Sequence, residues 1–574
     1  NQEERLYPTH FCRNCGQEFH PVTLRNYSGS EVFEKREIDD IPVEGDEDDD
    51  GAEWGFLMPQ PESDDFTFTG KDEDYPEAWL EEKPNGEKRL KANYRKKRAQ
   101  QYLVQPDGSA HAGSRQTWYL KGKYRFCPSC GDVNTTSARD MNKLASLSAE
   151  SRSSATTILL STVLRWMNSP NSTIAEHSRK LLSFTDNRQD AALQAGHFND
   201  FVFVTMMRGA IISALKNSPD GTLDEANIGR EVQKSLGFLA SPSNTERASE
   251  WLINTGIKGE RRNEAESILR QNLQHLFWVD QRRGWRYTNP NLEQLGLLTS
   301  NYKYLNDIAA DDAEFSGSPI LSNATHEERR TALKAIYDHM RKGLAVDCAS
   351  LNRLKLEELS GKNHNLIKSP WNVDDDRIVT STIFMTVPPK RKEMKNKDED
   401  RLLRGSPTSA IGKRMRDQTF GGRRIELKEV PEIFEGLLKA SENYGSVIKE
   451  GGPFGGMGWK LAGSTIQFTL DETLSKAELT NEYFVNVYNT ISEMLDRDGQ
   501  TLFGFEGREH TAQVEGDLRE LREMRFRYSD DDKKSLIQEE EKLKNFKEDN
   551  RFLPTLFCSP TMELGVDISA MNVV

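Results

Sequence analysis

The stretch that decides the fold is Leu556-Phe-Cys-Ser-Pro-Thr-Met-Glu-Leu-Gly-Val-Asp-Ile568. It begins as an apolar run, which predicts a buried strand, and it continues into a tight turn. Ser559 provides a hydroxyl that can bind a phosphate, and Gly565 lets the backbone approach a ligand closely. Asp567 can accept a hydrogen bond from a ribose hydroxyl or form an ion pair with an arginine. The pattern predicts an α/β domain with a phosphate-binding loop.

Two upstream segments share this design of a short strand that ends in polar residues. Residues 181–192 read Leu-Leu-Ser-Phe-Thr-Asp-Asn-Arg-Gln-Asp-Ala-Ala, and their polar part opens a helix whose free N–H groups favour a phosphate. Residues 509–514 read Glu-His-Thr-Ala-Gln-Val, after a strand-like run at 501–505 and before the charged segment 516–527. The candidate binding residues at these strand ends are Thr185, Asn187, Arg188, His510 and Thr511.

The composition indicates a large protein with unevenly distributed charge. A chain of 574 residues can bury several cores, and its net charge of -14 would disfavour a general polyanion binder. The charge occurs in blocks, however, because residues 39–50 are strongly acidic and residues 390–424 are strongly basic. No run approaches the roughly 18 uncharged apolar residues of a membrane helix, and residues 1–5 lack a signal-peptide pattern. We therefore expect a cytoplasmic protein without a membrane partner.

Four of the six cysteines occur in two copies of one pattern, Phe-Cys-x-x-Cys-Gly, at residues 11–16 and 126–131. In each copy, the spacing lets both thiolates face a single ion, and the glycine takes the left-handed conformation that the turn requires. A Cys-x-x-Cys turn of this kind is called a zinc knuckle, and two such knuckles complete a tetrahedral site. We expect a structural Zn²⁺ held by Cys12, Cys15, Cys127 and Cys130.

Other states of these thiols stay open at this point. Residues 17–125 separate the two knuckles, which is far more than the roughly 15 to 20 residues of an ordinary zinc ribbon. His10 and His20 flank the first knuckle and could compete as ligands, and unligated thiols or a redox pair are the alternative to a metal site. Cys348 and Cys558 stand alone and are expected to be small buried apolar residues.

The middle of the chain, residues 208–497, shows mainly amphipathic helix patterns. Within it, residues 407–416 read Pro-Thr-Ser-Ala-Ile-Gly-Lys-Arg-Met-Arg. Ser409 suits a helix N-cap, so we expect the basic residues after it to project from a short helix, as a helix-turn-helix or winged-helix element presents them to DNA. A solvated charged linker is the alternative. These basic residues are Lys413, Arg414 and Arg416.

Taken together, the paired knuckles and the segments 181–192 and 556–568 resemble large bacterial superfamily-two helicases of the DEAD/DEAH type. Among these, the chain is similar to the YprA/MrfA repair helicases and to the helicase subunits of the Druantia and DISARM anti-phage systems. Segment 181–192 resembles motif IV. Segment 556–568 resembles motif V, in which a hydroxyl residue is followed six positions later by Gly and eight positions later by Asp, a spacing kept by Ser559, Gly565 and Asp567.

The resemblance implies a twin RecA-like motor that hydrolyses ATP with Mg²⁺ and moves 3′ to 5′ along one DNA strand. The residues at the ends of the β-strands would hold the DNA strand along which the motor moves, and Ser559 would bind its next phosphate. Gly565 and Asp567 would act at the nucleotide. We accordingly expect a zinc-binding module at 1–140, the first part of a second RecA-like domain at 141–206, a mainly helical insertion at 207–497, and the second part of that domain at 498–574, ending after motif V.

Several motor motifs are missing from the sequence. It contains no Gly-x-x-x-x-Gly-Lys-Ser/Thr loop, no Asp-Glu-x-His or Asp-Glu-Ala-Asp box and no arginine-rich motif VI. The resemblance therefore implies the C-terminal motor half of a larger ATP-dependent DNA helicase, with ATP and Mg²⁺ bound mainly by other parts. Its partners would be DNA with a single-stranded region and, in a defence system, a second subunit. The alternative is a non-enzymatic, zinc-dependent DNA-binding scaffold with a degenerate motor fold.

Overall fold

The computed structural model describes most of the chain, and the predicted α/β class is confirmed at the level of a mixed structure with several separate sheets. The described residues are 5–40, 52–60, 68–83, 88–110, 115–134, 139–169, 171–185, 188–239, 247–282, 289–387, 402–417, 419–421, 423, 425–452, 456–471, 481–497 and 502–559.

The N-terminal module is built on an antiparallel sheet. Its elements are β1 (His10–Cys12), β2 (Glu18–Tyr27), β3 (Ser30–Lys35), β4 (Glu53–Pro59), β5 (Leu80–Glu82), β6 (Lys88–Leu90), α1 (Ala92–Arg95), β7 (Gln100–Val104), β8 (Arg115–Lys121), α2 (Asp140–Lys143) and β9 (Leu144–Ser146). The sheet has the order β7-β8-β4-β2-β1-β9, β3 pairs with β2, and β5 pairs with β6. Because β9 pairs with β1, the module extends to residue 146, beyond the predicted boundary at 140.

Aromatic side chains form much of the core of this module. Trp79 lies between Tyr94, on which it stacks at a centroid distance of 4.6 Å, and Phe126, which it meets edge-on at 5.0 Å. Each such pair contributes about 0.5–1.5 kcal/mol beyond the burial of its area. Since Phe126 directly precedes Cys127, this aromatic stack connects α1 to the second knuckle.

Two long helices flank the next strand. Helix α3 (Leu147–Met167) precedes β10 (Leu181–Phe184), and helix α4 (Arg188–Asn217) follows it. The two helices are in contact, and Gln194 Nε2 donates to Ser153 Oγ at 3.2 Å. By length and composition α4 is apolar enough to cross a membrane, but most of it is buried inside the protein, as in the core helix of a folded domain.

The segment between α4 and residue 497 contains helices and two further sheets. Its strands are β11 (Thr222–Asp224), β12 (Leu298–Tyr302), β13 (Val346–Asp347), β14 (Ile383–Met385), β15 (Leu402–Arg404), β16 (Val447–Gly451), β17 (Met457–Ala462) and β18 (Ile466–Leu470). Its helices are α5 (Ile228–Ser235), α6 (Ala248–Trp251), α7 (Glu260–Arg282), α8 (Leu305–Ala310), α9 (Pro319–Ser322), α10 (His326–Lys342), α11 (Arg353–Asn363), α12 (Ala410–Asp417), α13 (Val430–Asn443) and α14 (Glu482–Asp496).

The prediction of a mainly helical insertion is therefore incomplete. One sheet has the order β11-β18-β12, and the other has the order β13-β17-β14-β15 with β16 beside β17. These strands are short, and β17 is buried along nearly its whole length. A strand that is buried on both faces lacks the apolar and polar alternation by which strands are recognised in a sequence.

The last part of the described chain returns to β10. It contains β19 (Gly507–His510), α15 (Gly516–Arg527), α16 (Asp530–Gln538), α17 (Glu540–Asn545) and β20 (Thr555–Cys558). Strand β20 lies between β10 and β19, and both pairings are parallel. The carboxyl ends of all three strands therefore meet at one edge of the sheet. The strand predicted at 501–505 is wrong, because the described residues 502–506 form a turn and the strand is instead Gly507–His510, at the start of the segment 509–514 that was predicted to follow a strand.

Helix α4 joins this parallel sheet to the insertion. In its first half, Phe198 contacts Phe557 at a centroid distance of 6.1 Å, and the side chain of Asn199 exchanges two hydrogen bonds with the backbone of Gly507, at 2.8 and 2.9 Å. In its second half, Arg208 is fully buried and donates to Asp280 at 2.8 Å. One apolar core extends through both parts. The predicted boundary between 206 and 207 thus falls inside a continuous helix.

A buried ion network also ties the C-terminal segment to the insertion. Arg525 is fully buried and binds Glu506 at 2.5 Å as well as Glu548. Burial raises the pKa of Glu506, but the positive charge of Arg525 opposes it, and the resulting pKa lies well below the usual range. Close by, Arg551 binds Glu250 of helix α6 at 2.6 Å. Removing one partner of such a buried pair typically costs about 3–5 kcal/mol.

Candidate metal centre and polar strand ends

The two cysteine knuckles adopt the same backbone turn. The N–H of Gly16 donates to the carbonyl oxygen of Cys12 at 2.9 Å, and the N–H of Gly131 donates to that of Cys127 at the same distance. The two glycines have φ values of 81° and 73°, in the left-handed region that a side chain would disfavour. The predicted role of these glycines is therefore confirmed.

The knuckles bring four sulfur atoms into one cluster, and all four lie within 4.8 Å of one another. Cys12 Sγ lies 3.8 Å from Cys130 Sγ, and Cys15 Sγ lies 3.7 Å from Cys127 Sγ. Zn–S bonds of about 2.3 Å in a tetrahedron give S···S edges of about 3.8 Å, whereas a disulfide requires about 2.05 Å. The cluster could therefore hold a metal ion such as zinc, and its spacing matches a tetrahedral site better than a redox pair.

The histidines beside the first knuckle do not join the cluster. Across the described ranges, the group of metal-compatible side chains consists of cysteines alone. His20 Nδ1 instead lies 3.3 Å from the carbonyl oxygen of Pro8, and burial lowers the pKa of His10. Cys348 and Cys558 are buried away from the cluster, as predicted.

A bound cation would offset the negative charge of the clustered thiolates. Hydrogen bonds from Cys127 and Cys130 lower the pKa of Cys12 below that of a free thiol, while burial raises the pKa of Cys127. Several thiolates in one enclosed site repel one another and lose hydration, unless a positive charge compensates them. A divalent ion held by the four sulfurs would supply that charge.

Helix α12 forms where the sequence predicts it, and the N–H of Gly412 donates to the capping Ser409 Oγ at 3.2 Å. The expectation that its basic side chains project to solvent is wrong for Lys413 and Arg416, which are only 2 % and 3 % exposed. Lys413 Nζ donates to the backbone oxygen of Asp74 at 2.6 Å, and Arg416 donates to the Asp74 carboxylate at 3.0 Å. These residues therefore attach the insertion to the N-terminal module.

Asp74 is the centre of this contact. Its carboxylate also accepts from the N–H of Thr69 at 2.8 Å, which holds it in place. Burial lowers the pKa of Lys413 to about 8, against the opposing effect of Asp74. The second knuckle adjoins the same helix, because a Cβ built on Gly131 would lie 3.8 Å from Lys413 Nζ. Arg414 is the exposed member of the predicted basic trio.

The polar ends of the three parallel strands come together at one edge of the sheet. Thr185 donates to the carbonyl oxygen of Cys558 from its N–H at 2.8 Å and from its Oγ1 at 3.3 Å, which joins the ends of β10 and β20. At the end of β19, His510 Nε2 lies 2.8 Å from Glu523 Oε1 on α15. The predicted residues gathered at this edge are Thr185, Arg188, His510, Thr511 and Ser559.

Several of these side chains are not on the surface. His510, Thr511 and Ser559 are buried, at 5 %, 2 % and 2 % exposure. Within the part of the chain that the structure describes, Thr511 Oγ1 has no hydrogen-bond partner. Thr185 and Arg188 are partly exposed. The predicted residues Asn187, Gly565 and Asp567 lie outside the described residues.

Comparisons of the chain with protein-family models, with curated proteins and with solved structures found no match. We therefore argue function from the geometry of the chain itself. Two features provide that geometry, the four-cysteine cluster and the edge where the polar strand ends meet.

Replacing Cys127 by Ser should remove bound metal from the protein. The unmodified protein should contain about one zinc ion per chain, because four thiolates at tetrahedral spacing bind one ion, and Cys127→Ser should contain less than about a tenth of that. Inductively coupled plasma mass spectrometry measures both. The matched control, Cys348→Ser, changes a buried cysteine outside the cluster and should keep its zinc. Equal zinc in both variants would contradict a metal centre here.

Asp74→Ala should loosen the contact between the module and the insertion. It removes one of the two carboxylates that bind Arg416, whose pair with Asp417 at 2.9 Å remains, and it removes the negative charge beside Lys413, at a cost of about 1.5–3 kcal/mol. We expect a lower melting temperature and faster hydrogen exchange in residues 410–417. The control, Asp531→Ala, removes an exposed carboxylate and should change neither. Unchanged exchange at 410–417 in Asp74→Ala would show that the contact is not held by this charge.

Proposed function

We propose that this chain supplies the second RecA-like motor domain of an ATP-dependent DNA helicase, together with a structural zinc module. One observation carries the proposal. Strands β10 and β20, which lead into the motif IV-like and motif V-like segments, are parallel neighbours in one sheet. Polar residues that are distant in sequence thereby meet at a carboxyl edge, which is where ligands bind in parallel α/β sheets.

The ends of these strands offer groups that suit a phosphate backbone. Arg188 is the first residue of α4, so its guanidinium lies at a helix N-terminus, where the helix dipole favours an anion. Thr185 lies just before this turn at the end of β10. Contacts of this kind to phosphate position a strand without reading its bases, which is what an enzyme that moves along DNA requires.

The insertion is positioned to respond to movements of the sheet. Helix α4 runs from the strand ends into the core of the insertion, and the ion pair between Arg551 and Glu250 provides a second connection. A shift at the strand ends would therefore move the insertion with the sheet. In the proposed enzyme, ATP and Mg²⁺ bind mainly to a first motor domain, and Gly565 and Asp567 act at the nucleotide. Closure of the cleft between the two motor domains then drives 3′ to 5′ movement along DNA. Anti-phage defence, with a second subunit, or DNA repair is the proposed setting.

Zinc has a structural role in this proposal. The cluster joins the end of β1 to the loop after β8, which closes the module on itself. All four candidate ligands are cysteines, so no position stays open for a water or a substrate. Closed Cys₄ sites of this kind are typical of structural rather than catalytic zinc.

A specific observation favours a second candidate, a non-enzymatic zinc-dependent DNA-binding scaffold with a degenerate motor fold. His510, Thr511 and Ser559 are buried, whereas a working DNA track needs accessible side chains. The two candidates share the zinc module and DNA binding. They differ in ATP turnover, which the full-length protein either shows or does not show.

Arg188→Ala in the full-length protein should weaken binding to single-stranded DNA and reduce its dependence on salt. The loss of one phosphate contact lowers the slope of log affinity against log salt by about 0.7 for a single strand. Fluorescence anisotropy with a labelled oligonucleotide over a range of salt concentrations measures affinity and slope. The charge-matched control is Arg353→Ala, an exposed arginine paired with Glu357, and it should bind normally. An unchanged slope for Arg188→Ala would reject the strand-end site.

Asp567→Ala in the full-length protein should lower ATP turnover far more than DNA affinity, because this carboxylate is assigned to the nucleotide. A loss of about tenfold in kcat corresponds to about 1.4 kcal/mol of transition-state stabilisation. Phosphate release in the presence of DNA measures turnover, and anisotropy measures affinity. An unmodified full-length protein that binds DNA but never hydrolyses ATP would rule out the helicase and support the scaffold.

A further inference from the structure

The zinc module carries a group of cations that the proposed motor site does not use. Lys96 and Lys97 follow helix α1, and Lys123 and Arg125 precede the second knuckle. All four are exposed or partly exposed. Exposed and buried side chains alternate along residues 123–126, so Lys123 and Arg125 share the outward side. We call the side chains of Lys96, Lys97, Lys123 and Arg125 the basic surface.

The positive charge of the basic surface is not balanced by ion pairs with described acidic residues. Over the described ranges of the chain, none of its four side chains forms an ion pair. Burial lowers the pKa of Lys97, and the nearby guanidinium of Arg125 lowers it further, so these two like charges are close enough to repel each other. By contrast, exposed cations on α11 and α16 are paired with acidic residues one helical turn away. The repulsion between neighbouring cations that lack an acidic partner decreases when an anion binds to them.

The two sides of the basic surface are held together by the aromatic stack. Lys97 Nζ lies 5.2 Å over the ring of Tyr94, which stacks on Trp79 at 4.6 Å with an interplanar angle of 10°. Trp79 in turn meets Phe126 at 5.0 Å, and Arg125 directly precedes Phe126. The turn after α1 and the second knuckle therefore hold their cations in a fixed relation to each other.

From this arrangement we propose that the basic surface binds the phosphate backbone of a nucleic acid, as a contact separate from the strand ends. The phosphates of a nucleic-acid backbone suit a group of exposed lysine and arginine side chains. The protein as a whole carries a net charge of -14, so a local group of unpaired cations directs a polyanion to this face. Such a contact reads no sequence. It is carried by the zinc module and does not rest on the motor assignment.

The surroundings favour a nucleic acid over a membrane. Residues 88–110 and 115–134, all of which the structure describes, expose one large apolar side chain, that of Leu103. Peripheral membrane binding needs exposed apolar or aromatic groups beside the cations, so that they can enter the lipid interface. Here the aromatic rings next to the cations are packed against one another, and the basic surface offers charge alone.

The test is the double variant Lys97→Gln/Arg125→Gln in the full chain with zinc bound. The probes are fluorescein-labelled single-stranded and duplex oligonucleotides of mixed sequence, measured by anisotropy across salt concentrations without ATP. If both phosphate contacts are lost, the slope of log affinity against log salt should fall by about 1.4 for the single strand and about 1.8 for the duplex. The control, Lys533→Gln/Lys534→Gln, removes the same charge from α16, where both lysines are paired, and should bind normally.

Equal affinities and slopes for the two double variants would overturn the proposal. A loss of binding to phosphatidylserine vesicles or to polyglutamate, with nucleic-acid binding intact, would overturn it as well. If Lys97→Gln/Arg125→Gln loses zinc or melts earlier, Lys96→Gln/Lys123→Gln repeats the test without touching the aromatic stack. Arg188→Ala probes the strand ends separately. A reduced slope for Lys97→Gln/Arg125→Gln beside an unchanged slope for Arg188→Ala would support the basic surface while rejecting the strand-end site.

Discussion

The burial of helix α4 in two environments is the constraint on which the rest of the structure depends. Its first half covers the parallel sheet through Phe198, and its second half packs against α14 so closely that a Cβ on Gly209 would lie 2.5 Å from Ile491 Cγ2. Each large apolar side chain that such packing removes from water contributes about 1.5–3 kcal/mol. The sheet and the insertion share one apolar core along this helix. The insertion is therefore an integral part of the domain that contains the strand ends.

Buried ions decide which segments of this large chain meet. Arg208, Arg416 and Arg525 each lie in the interior and bind a carboxylate from a distant segment or a neighbouring element. Such pairs add little stability compared with apolar packing, but any arrangement that separates them leaves a charge buried alone. They therefore favour one assembly over its competitors. This explains why basic residues at 413 and 416, which suggest a DNA-binding helix in the sequence, form an internal contact instead.

Features that depend on local spacing could be predicted from the sequence, and features that depend on distant partners could not. The turn of a Cys-x-x-Cys-Gly knuckle is set within five residues, so each knuckle was predictable, and the duplicated pattern supplied the four thiolates that indicate one shared site. The strands at 181–184 and 555–558 were visible as apolar runs that end in polar residues. No local pattern marks Asp74 as the partner of Arg416 or Glu523 as the partner of His510. The burial of these side chains follows from partners supplied by other elements, and the nucleotide role of Asp567 stays a prediction.

The cations near the four-cysteine cluster form two sets. Four thiolates around a divalent ion carry a net charge of about −2, and the buried ammonium of Lys413 lies beside the second knuckle. With the ion bound, the cluster would therefore compensate a cation on its inner side that is otherwise costly to bury. On the outer side, Lys97 and Arg125 form no ion pair with any acidic residue that the structure describes. With a metal bound, the cluster would fix both the contact of the second knuckle with α12 and the position of Arg125, so that one ion would influence how the module attaches to the insertion and what its outer face can bind.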